Sequence, residues 1–397
     1  MMNEKIRILT KCLCCGNINL KEILDLNDQP LANSYLKQKT EIEEKFPLKL
    51  NFCSVCTHLQ LSHVVNPNLL FKNYLYVSGT SQTLQNYFKY FVTLVQSYLN
   101  YSPNNILDIA CNDGSQLDAF KEAGYNTFGI DPAENLFKLS SKNHNIVCDY
   151  INDESIKSFG VNFDVIIAQN VFAHNDYPNK FLDYCKQVLN KNGLMFIQTS
   201  QANMIKNNEF DTIYHEHISY FTARSFCVLA KKSGFNVIDI IKTDIHGTSF
   251  VFILSKSGKD NSDQLLKNQD QLDIIQMKNY ANQCHFIIKE LNCKINHFRT
   301  NGYKIVGYGA AAKGNTLLNF GNISLDYIVD DNPLKHNLYT PGMKIPIFPV
   351  KYLNEEFDKL LIIPLAWNFF DEIKNNLTLK GISATFIRYF PEIIIEK

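Results

Sequence analysis

Hydrophobic and polar positions alternate along the chain in blocks that predict a regular succession of helices and strands. From about residue 85 the helical pattern TLQNYFKYFVTLVQSYL leads into an apolar strand over 106–110. A loop of small residues and a second helix, which ends at Gly124, come next. The following strand, TFGID, ends in Asp131. An acid at the end of the strand that follows a strand–loop–helix unit is typical of a doubly wound α/β sheet, in which the carboxylate binds a ribose diol.

The pattern continues through residue 255 with alternating helices and strands. An apolar strand over 163–168 precedes the helix NKFLDYCKQVLNKNG, the strand LMFIQTS and the helix TARSFCVLAKKSGF. The segments NVIDIIKTD and TSFVFILSK then predict a hairpin. A parallel sheet that finishes in a hairpin is the version of this fold expected for methyltransferases that use S-adenosylmethionine (SAM). Ala110 and Asn112 stand where glycines are usual in the first loop, and the alternative is another kind of dinucleotide-binding domain.

A second strand–loop–helix unit predicts a further domain near the C-terminus. The polar segment SGKDNSDQ reads as a linker, and a long helical stretch runs from about 264 to 298. The strand 304–306 then enters GYGAAAKG, and the strand LDYIVD leads to Asp331. Glycine and lysine at the mouth of a helix, here Gly309 and Lys313, suit a bound diphosphate, although tight turns also use glycine structurally. The predicted domains are therefore 1–70, 71–257 and 258–397.

Five of the eleven cysteines lie within the first 56 residues, and four of them form two Cys-x2-Cys pairs. Two such turns supply the four thiolates that a tetrahedral zinc ion requires. Four cysteines leave no open coordination position, so the predicted zinc is structural rather than catalytic. Registers that use Cys14 or His58 have poorer spacing but remain open. The predicted ligands are Cys12, Cys15, Cys53 and Cys56.

The overall charge argues against two classes of partner. Lys+Arg and Asp+Glu both number 39, so the formal net charge is zero and no dense basic run is present. A neutral chain has no long-range attraction to nucleic acid or to an anionic membrane. The first residues lack the apolar core of a signal peptide, and no stretch is long enough to span a bilayer. We therefore expect a cytoplasmic protein with no nucleic-acid or membrane partner.

Polar and aromatic side chains concentrate in three segments that the predicted topology places near one crevice. FKNYLYVSGTS precedes the middle domain, NVFAH follows one core strand, and DTIYHEHISYF follows the next. Residues beyond the carboxyl ends of parallel strands face the ligand crevice. His-Glu-His lacks the spacing that puts two histidines on one helical face, so a metal site is disfavoured here. Surface or core roles remain open for each histidine, but the combination favours acid–base chemistry.

These motifs together resemble the sugar C-methyltransferase family, which modifies nucleotide-linked 4-keto-hexoses. The resemblance covers nearly the whole chain. It rests on the paired cysteines, Y-x-Y-x-S-G-T-S, N-V-F-A-H, Y-H-E-H-x-x-Y-F, G-Y-G-A-A-A-K-G and the later A-W-N. It implies zinc on the four cysteines, SAM in the middle domain, and a nucleotide sugar of the dTDP or GDP type between the middle and C-terminal domains.

The resemblance also implies a reaction. A carbon next to a keto group becomes nucleophilic when a base removes its proton, and a donor then stabilises the enolate oxygen. By resemblance and crevice position, His217 is the expected base and the methylated carbon is expected to be C3. The other expected catalytic residues are Glu216, Tyr214, His174 and Tyr76. Expected SAM-binding residues are Asp108, Ala110, Cys111, Asn112, Asp113, Asp131, Asp149 and Gln169. Gly309, Lys313 and Asp331 are the candidates for binding the nucleotide sugar.

Three alternatives remain at this stage. A zinc-ribbon RNA methyltransferase would share the first two domains but should carry a basic face. A non-catalytic protein that binds SAM or a nucleotide sugar would not need the Tyr-x-Glu-His loop. An NAD-dependent oxidoreductase would use the C-terminal glycine loop, with Asp330 on the ribose. For the enzyme itself we expect a monomer or a weak dimer.

Overall fold

The computed structural model describes residues 5–71, 79, 82–245, 247–269, 272–354 and 359–397, and strands in these ranges form four sheets. In the N-terminal domain β1 pairs with β5, and β2, β3 and β4 form an antiparallel sheet. Side chains of β3 alternate between buried and partly exposed positions, as the two-residue period of a strand requires. The bounds are β1 Ile6–Ile8, β2 Leu20–Pro30, β3 Lys45–Cys53, β4 Leu59–Leu61 and β5 His63–Val65.

The middle domain contains a seven-stranded sheet in the order β12-β13-β10-β9-β6-β7-β8. Its strands are parallel except β13, which runs antiparallel to both of its neighbours, so the predicted terminal hairpin is confirmed. Strand β11 lies apart and pairs with β4 of the N-terminal sheet. The bounds are α1 Gln82–Ser97, β6 Asn105–Ile109, α2 Ser115–Glu122, β7 Asn126–Ile130, α3 Glu134–Ser140, β8 Asn145–Val147, α4 Asp153–Lys157, β9 Phe163–Gln169, α5 Pro178–Val188, β10 Leu189–Thr199, β11 Ser219–Tyr220, α6 Ala223–Lys232, β12 Asn236–Thr243 and β13 Ser249–Ser255.

The C-terminal domain has a six-stranded sheet in the order β16-β15-β14-β17-β18-β19, with only β19 antiparallel. The long helix begins later than the sequence pattern indicates, because the Asp273 side chain accepts hydrogen bonds from the N–H groups of Ile275 and Gln276 and caps it. The bounds are α7 Ser262–Leu265, α8 Ile274–Thr300, β14 Lys304–Tyr308, α9 Ala312–Gly321, β15 Tyr327–Asp330, β16 Ile347–Pro349, β17 Leu360–Pro364, α10 Phe370–Leu379, β18 Thr385–Arg388 and β19 Ile394–Glu396.

Apolar cores join the domains. One core combines residues of β2 and β3 with α8, α9 and the C-terminal sheet. A second core packs the four paired cysteines near α5 and α6 of the middle domain. The first core also contains Phe210, Ile213 and Tyr220 of the middle domain, so all three domains pack together. Within the described ranges, no helix has both the length and the apolar character needed to cross a membrane.

Candidate active site

The four paired cysteines converge as the sequence predicts. Their sulfur atoms all lie within 4.8 Å of one another. The Sγ atoms of Cys12 and Cys56 are 3.5 Å apart, and those of Cys15 and Cys53 are 3.6 Å apart. Zn–S bonds of ~2.3 Å in a tetrahedron put sulfurs ~3.8 Å apart, so this set fits zinc. Cys14 and His58 are not members of the cluster.

Both cysteine turns are closed in the same way. Gly16 N–H donates to the Cys12 carbonyl at 2.9 Å, and Thr57 N–H donates to the Cys53 carbonyl at 2.8 Å. Gly16 and Thr57 each have a positive φ, of 85° and 61°. The left-handed residue after each second cysteine turns the chain so that both thiolates of a pair face inward. The site is structural, because four thiolates complete the coordination of zinc.

The first loop of the middle sheet keeps the backbone shape of a glycine loop, although Ala110 and Asn112 stand where glycines are usual. Ala110, Asn112 and Gly114 all have positive φ, of 63°, 53° and 87°. For Ala110 this conformation costs ~1–2 kcal/mol, which the surrounding structure must offset. Asp131 accepts hydrogen bonds from Asn112 N–H and from Ala133 N–H, both at 2.8 Å, and so holds the loop against the end of β7.

Negative charge concentrates around this loop. Burial is the main cause that raises the pKa of Asp108, and the nearby carboxylates of Asp131 and Asp113 raise it further. Asp113 Oδ2 accepts from Gly79 N–H at 2.9 Å, which holds Gly79 against the loop. Converging carboxylates in a partly closed crevice suit a cationic ligand such as SAM, whose sulfonium and ammonium groups are both positive.

Two further predicted SAM contacts lie at the ends of β9 and β8, which flank β6 and β7 in the sheet. Gln169 ends β9, and its buried Nε2 has no hydrogen-bond partner among the described residues, as expected of a group that meets a ligand. Asp149 follows β8 and is exposed. Its carboxylate accepts from Tyr150 N–H and Asn152 Nδ2 and closes a turn at that edge. Cys111 is buried behind the loop, where a side chain on Gly129 would collide with its sulfur.

His217 is fixed on both ring nitrogens. Its Nδ1 lies 2.8 Å from the carbonyl oxygen of Thr212 and 2.9 Å from Gln201 Nε2. Its Nε2 lies 2.8 Å from the Tyr214 hydroxyl. Because a carbonyl oxygen only accepts, Thr212 favours the tautomer with the proton on Nδ1. That tautomer leaves a lone pair on Nε2, which the Tyr214 hydroxyl faces.

The residues beside His217 hold its loop to the N-terminal domain. Glu216 is buried, and its Oε1 accepts from Asn33 Nδ2 at 2.6 Å. Burial raises the pKa of Glu216 to about 7, and the Asn33 hydrogen bond opposes part of that rise. His215 Nε2 lies 3.2 Å from the Phe46 carbonyl in β3, and burial lowers the pKa of His215 to about 4. His215 is therefore a neutral anchor, whereas Glu216 can titrate near neutral pH.

A second histidine borders His217. The ring centroids of His174 and His217 are 5.0 Å apart. The Phe71 ring stacks on the His174 ring, with their centroids 5.7 Å apart. Burial lowers the pKa of His174 to about 4, so its imidazole is neutral at pH 7. A neutral neighbour lets His217 accept a proton without placing two cations side by side. Tyr76, the remaining predicted catalytic residue, lies outside the described residues.

The predicted residues of the C-terminal loop have distinct surroundings. Gly309 has a φ of 85° and starts the turn after β14. Lys313 lies in the first turn of α9, with its ammonium 4.4 Å from the centre of the Trp367 ring. Burial lowers the pKa of Lys313, and the carboxylates of Asp211 and Glu209 oppose that shift. Asp331 accepts from the Tyr308 hydroxyl at 2.8 Å.

Sequence reasoning missed the residues that support this loop from elsewhere. Asn33, Gln201 and the Thr212 carbonyl were not singled out, although each contacts Glu216 or His217. Trp367 Nε1 also donates to Asp211 Oδ2 at 2.8 Å and ties the start of the loop to the C-terminal domain. The A-W-N motif could have drawn attention to Trp367, but no local pattern indicates its partner.

Comparisons with known proteins agree with this arrangement. The model of a zinc binding domain matches residues 12–71, a methyltransferase domain matches 84–240, and a C-methyltransferase C-terminal domain matches 244–391. C-methyltransferase NovU from Streptomyces niveus is 26% identical over 406 residues, which cover 94% of each chain. The tRNA U34 carboxymethyltransferase of Campylobacter fetus subsp. fetus is 27% identical over 168 residues, covering 38% of this chain and 59% of that protein. The plantazolicin methyltransferase BpumL, solved with a pentazolic desmethylPZN analog and SAH, aligns with a TM-score of 0.37 and 15% identity, covering 45% of this chain and 87% of that one.

The loop geometry, the sheet order and the matched methyltransferase domain define the chain as a SAM-dependent methyltransferase with a structural zinc site. The three consecutive domain matches, together with the full-length similarity to a C-methyltransferase, are more specific. The chain thus has the domain layout of a C-methyltransferase: a zinc-binding domain, a methyltransferase domain and a C-methyltransferase C-terminal domain.

Proposed function

We propose that this enzyme methylates the carbon next to the keto group of a nucleotide-linked 4-keto-deoxy sugar, with His217 as the base. The carbon that we expect to be methylated is C3. The observation that carries the proposal is the fixed ring of His217. The Thr212 carbonyl holds Nδ1 and the Tyr214 hydroxyl faces Nε2, at the carboxyl edge of the sheet where SAM binds. When bound, SAM supplies an electrophilic methyl group.

The proton transfers follow from that ring. The C–H bond next to the keto group breaks, its proton goes to His217 Nε2, and its electron pair moves to the keto oxygen to give an enolate. The resulting imidazolium keeps its Nδ1–H bonded to the Thr212 carbonyl. Tyr214, whose hydroxyl leaves Nε2 as that nitrogen is protonated, can then donate to the enolate oxygen. Positioning of the two reactants contributes much of the barrier reduction.

Glu216, His174 and Tyr76 are the proposed contacts to the sugar. Near pH 7 the Glu216 carboxyl is divided between its protonated and ionised forms, so it can donate to or accept from a hydroxyl. Asn33 fixes one of its oxygens. The buried Nε2 of His174 has no hydrogen-bond partner among the described residues and suits a ring hydroxyl or the keto oxygen. Tyr76 is assigned as a donor on the sequence resemblance alone.

The nucleotide part of the substrate, of the dTDP or GDP type, is proposed to lie between the middle and C-terminal domains. Lys313 has the best support among the three residues expected there. It is a half-buried cation that faces the middle domain beside Trp367. Gly309 lets the backbone approach a ligand closely at the same turn, whereas Asp331 already accepts from Tyr308. We take this cleft to lie at the boundary between the proposed domains 71–257 and 258–397.

The test is a reaction of the zinc-loaded enzyme with SAM and a panel of nucleotide-linked 4-keto-6-deoxy sugars. We expect one product that is heavier by the mass of one CH2 group, with the new methyl on carbon next to the keto group by NMR. Methylation on oxygen or nitrogen would overturn the proposal. Bound SAM without methylation of any sugar would also overturn it, and methyl transfer to tRNA under the same conditions would identify an RNA substrate instead.

A further inference from the structure

Gln201 contacts the same nitrogen of His217 as the Thr212 carbonyl, and nothing in the local sequence marks it. It follows β10, and its side chain is only 7% exposed. Its φ of 73° lies in the left-handed region, which residues other than glycine rarely adopt. Hydrogen bonds from Ala202 N–H to the Thr248 carbonyl and from Met204 N–H to the Gln201 carbonyl hold this turn. Functional sites often contain a residue whose unfavourable backbone conformation is held by its surroundings and directs its side chain at a reactive group.

The two neighbours of Nδ1 make the orientation of the Gln201 amide decisive. A proton on Nδ1 suits the Thr212 carbonyl, and it also suits a glutamine oxygen at the second contact. If the glutamine NH2 group faces Nδ1, it donates to a bare Nδ1, and the ring proton must then lie on Nε2. Rotation of the amide by half a turn exchanges its oxygen and nitrogen without changing its shape. Each orientation therefore favours a different tautomer of His217.

Only one tautomer can act as the base. With the proton on Nδ1, the lone pair of Nε2 faces the Tyr214 hydroxyl and can take a proton in place of that hydrogen bond, and the imidazolium that forms has two acceptors for its Nδ1–H. With the proton on Nε2, that nitrogen is a donor and cannot take the substrate proton. Gln201 also borders a cavity of about 360 Å³ that is lined by residues of the middle domain, by Leu59 of β4 and by residues of α8 and the segment before it.

We propose that Gln201 is a positioning residue that turns its amide oxygen towards His217 Nδ1 and holds the histidine in its base-competent tautomer. The inference rests on the proposed role of His217 as the base. The amide oxygen then accepts from Nδ1–H beside the Thr212 carbonyl, and it stabilises the imidazolium during turnover. Among the described residues, His174 and Tyr220 face His217 from other elements, and Tyr214 faces it from its own loop.

The experiment uses the zinc-loaded full-length enzyme with 15N-labelled histidine. The His217 signals are assigned by their loss in His217→Gln. We expect Nε2 of the wild type to show the chemical shift of an unprotonated nitrogen. Gln201→Glu, which presents only oxygen, should keep that tautomer and move the titration of His217 to higher pH. Gln201→Met should move the titration to lower pH and reduce kcat about tenfold or more, with SAM affinity unchanged.

Asn203→Asp is the matched control. It adds the same charge in the same turn, but Asn203 bonds to Thr248 rather than to His217. Three outcomes would each overturn the proposal. The wild type could carry its ring proton on Nε2, or Gln201→Met could leave the His217 titration and kcat unchanged. Gln201→Glu and Asn203→Asp could also shift the His217 titration equally. The ring signals are measured without a sugar substrate. A failure to methylate any sugar would therefore contradict the proposed function and leave the tautomer result readable.

Discussion

In the middle sheet and in the C-terminal sheet, the first strand enters a helix through a short loop, and the second strand leads to a buried aspartate. Asp131 accepts from Asn112 N–H at 2.8 Å, and Asp330 accepts from Ala310 N–H at 2.7 Å. The other oxygen of each carboxylate accepts, at 2.8 Å, from the N–H group two residues further along the chain. The two domains therefore contain the same loop-holding device.

The surroundings of the two devices differ. In the C-terminal domain the Ala310 carbonyl accepts from the Tyr35 hydroxyl at 2.5 Å and from Lys335 Nζ at 2.9 Å. Lys335 also lies 3.4 Å from Asp330 and over the Tyr35 ring. An N-terminal side chain thus packs against the loop that Asp330 holds. In the middle domain the equivalent loop borders the crevice that holds His217 and Gln169.

The comparison teaches that a strand–loop–helix–acid pattern identifies a fold unit rather than a ligand site. The same local pattern borders the proposed SAM crevice in one domain, whereas in the other its Ala310 carbonyl takes part in an interdomain contact. What distinguishes the two is Tyr35, which is 275 residues from Ala310 in the chain.

The largest effect is expected where the middle crevice performs its chemistry. His217→Gln should lower kcat by a factor of ~10²–10⁴, as the loss of a general base does, and leave SAM affinity unchanged. Steady-state kinetics and calorimetry measure the two quantities. His215→Gln is the control, because His215 bonds to the Phe46 carbonyl of the N-terminal sheet. Equal losses of kcat in both variants would show that the loop, rather than the base, had been damaged.

The next effect separates the two aspartates directly. Asp131→Ala should weaken SAM binding about 10- to 100-fold, the range expected for losing hydrogen bonds to a charged group. Asp330→Ala should leave SAM binding unchanged and lower the melting temperature, since its carboxylate supports a joint. Titration calorimetry with SAM and thermal unfolding test the pair. Weaker SAM binding in Asp330→Ala would contradict the assignment of SAM binding to Asp131 and not to Asp330.

Glu216 connects the crevice to the N-terminal domain and should make stability depend on pH. Its pKa of about 7 lies above the ordinary value of 4.5, so its contribution to stability is complete below pH 4.5 and is lost as pH rises through 7. Glu216→Gln should therefore be more stable than wild type at pH 8, by ~1–3 kcal/mol, and equal to it at pH 4.5. Urea unfolding at both pH values measures the difference in the free energy of unfolding between Glu216→Gln and wild type. An equal difference at pH 8 and at pH 4.5 would contradict the prediction.

The smallest effect concerns the joint itself. Tyr35→Phe removes the hydroxyl that donates to the Ala310 carbonyl and should cost ~0.5–1.5 kcal/mol of stability. SAM affinity should not change, because the Ala310 loop lies in the C-terminal domain. Denaturant unfolding and calorimetry provide the readouts. A loss of SAM affinity without a loss of stability would mean that the joint serves the cofactor crevice.

Elements with strong local patterns could be predicted from the sequence. The cysteine pairs, the parallel strands with their hairpin, and the loop at 110–114 depend on spacing within a few residues. The loop also shows why Ala110 and Asn112 can replace glycine. The N–H of Ala110 donates to the Ile130 carbonyl and the N–H of Asn112 to the Asp131 carboxylate, and these bonds hold both residues in their left-handed conformation.

Contacts between distant segments could not be predicted in this way. Asn33 reaches Glu216 across 183 residues, and Trp367 reaches Asp211 across 156. The pairing of β11 with β4 likewise joins the His217 loop to the N-terminal sheet. These contacts depend on how three domains pack, which hydrophobic periodicity in one sequence does not specify. The sequence therefore indicated the catalytic loop, but not the groups that orient it.

Proton exchange in the absence of methyl transfer tests the central claim most directly. The enzyme is loaded with S-adenosylhomocysteine, which has no methyl to give, and mixed with a nucleotide-linked 4-keto-6-deoxy sugar in D2O. The account predicts that wild type exchanges one proton, on the carbon next to the keto group, and that His217→Gln binds the sugar without exchanging it. Exchange by His217→Gln at the wild-type rate, or no exchange by a wild type that binds the sugar, would contradict the account.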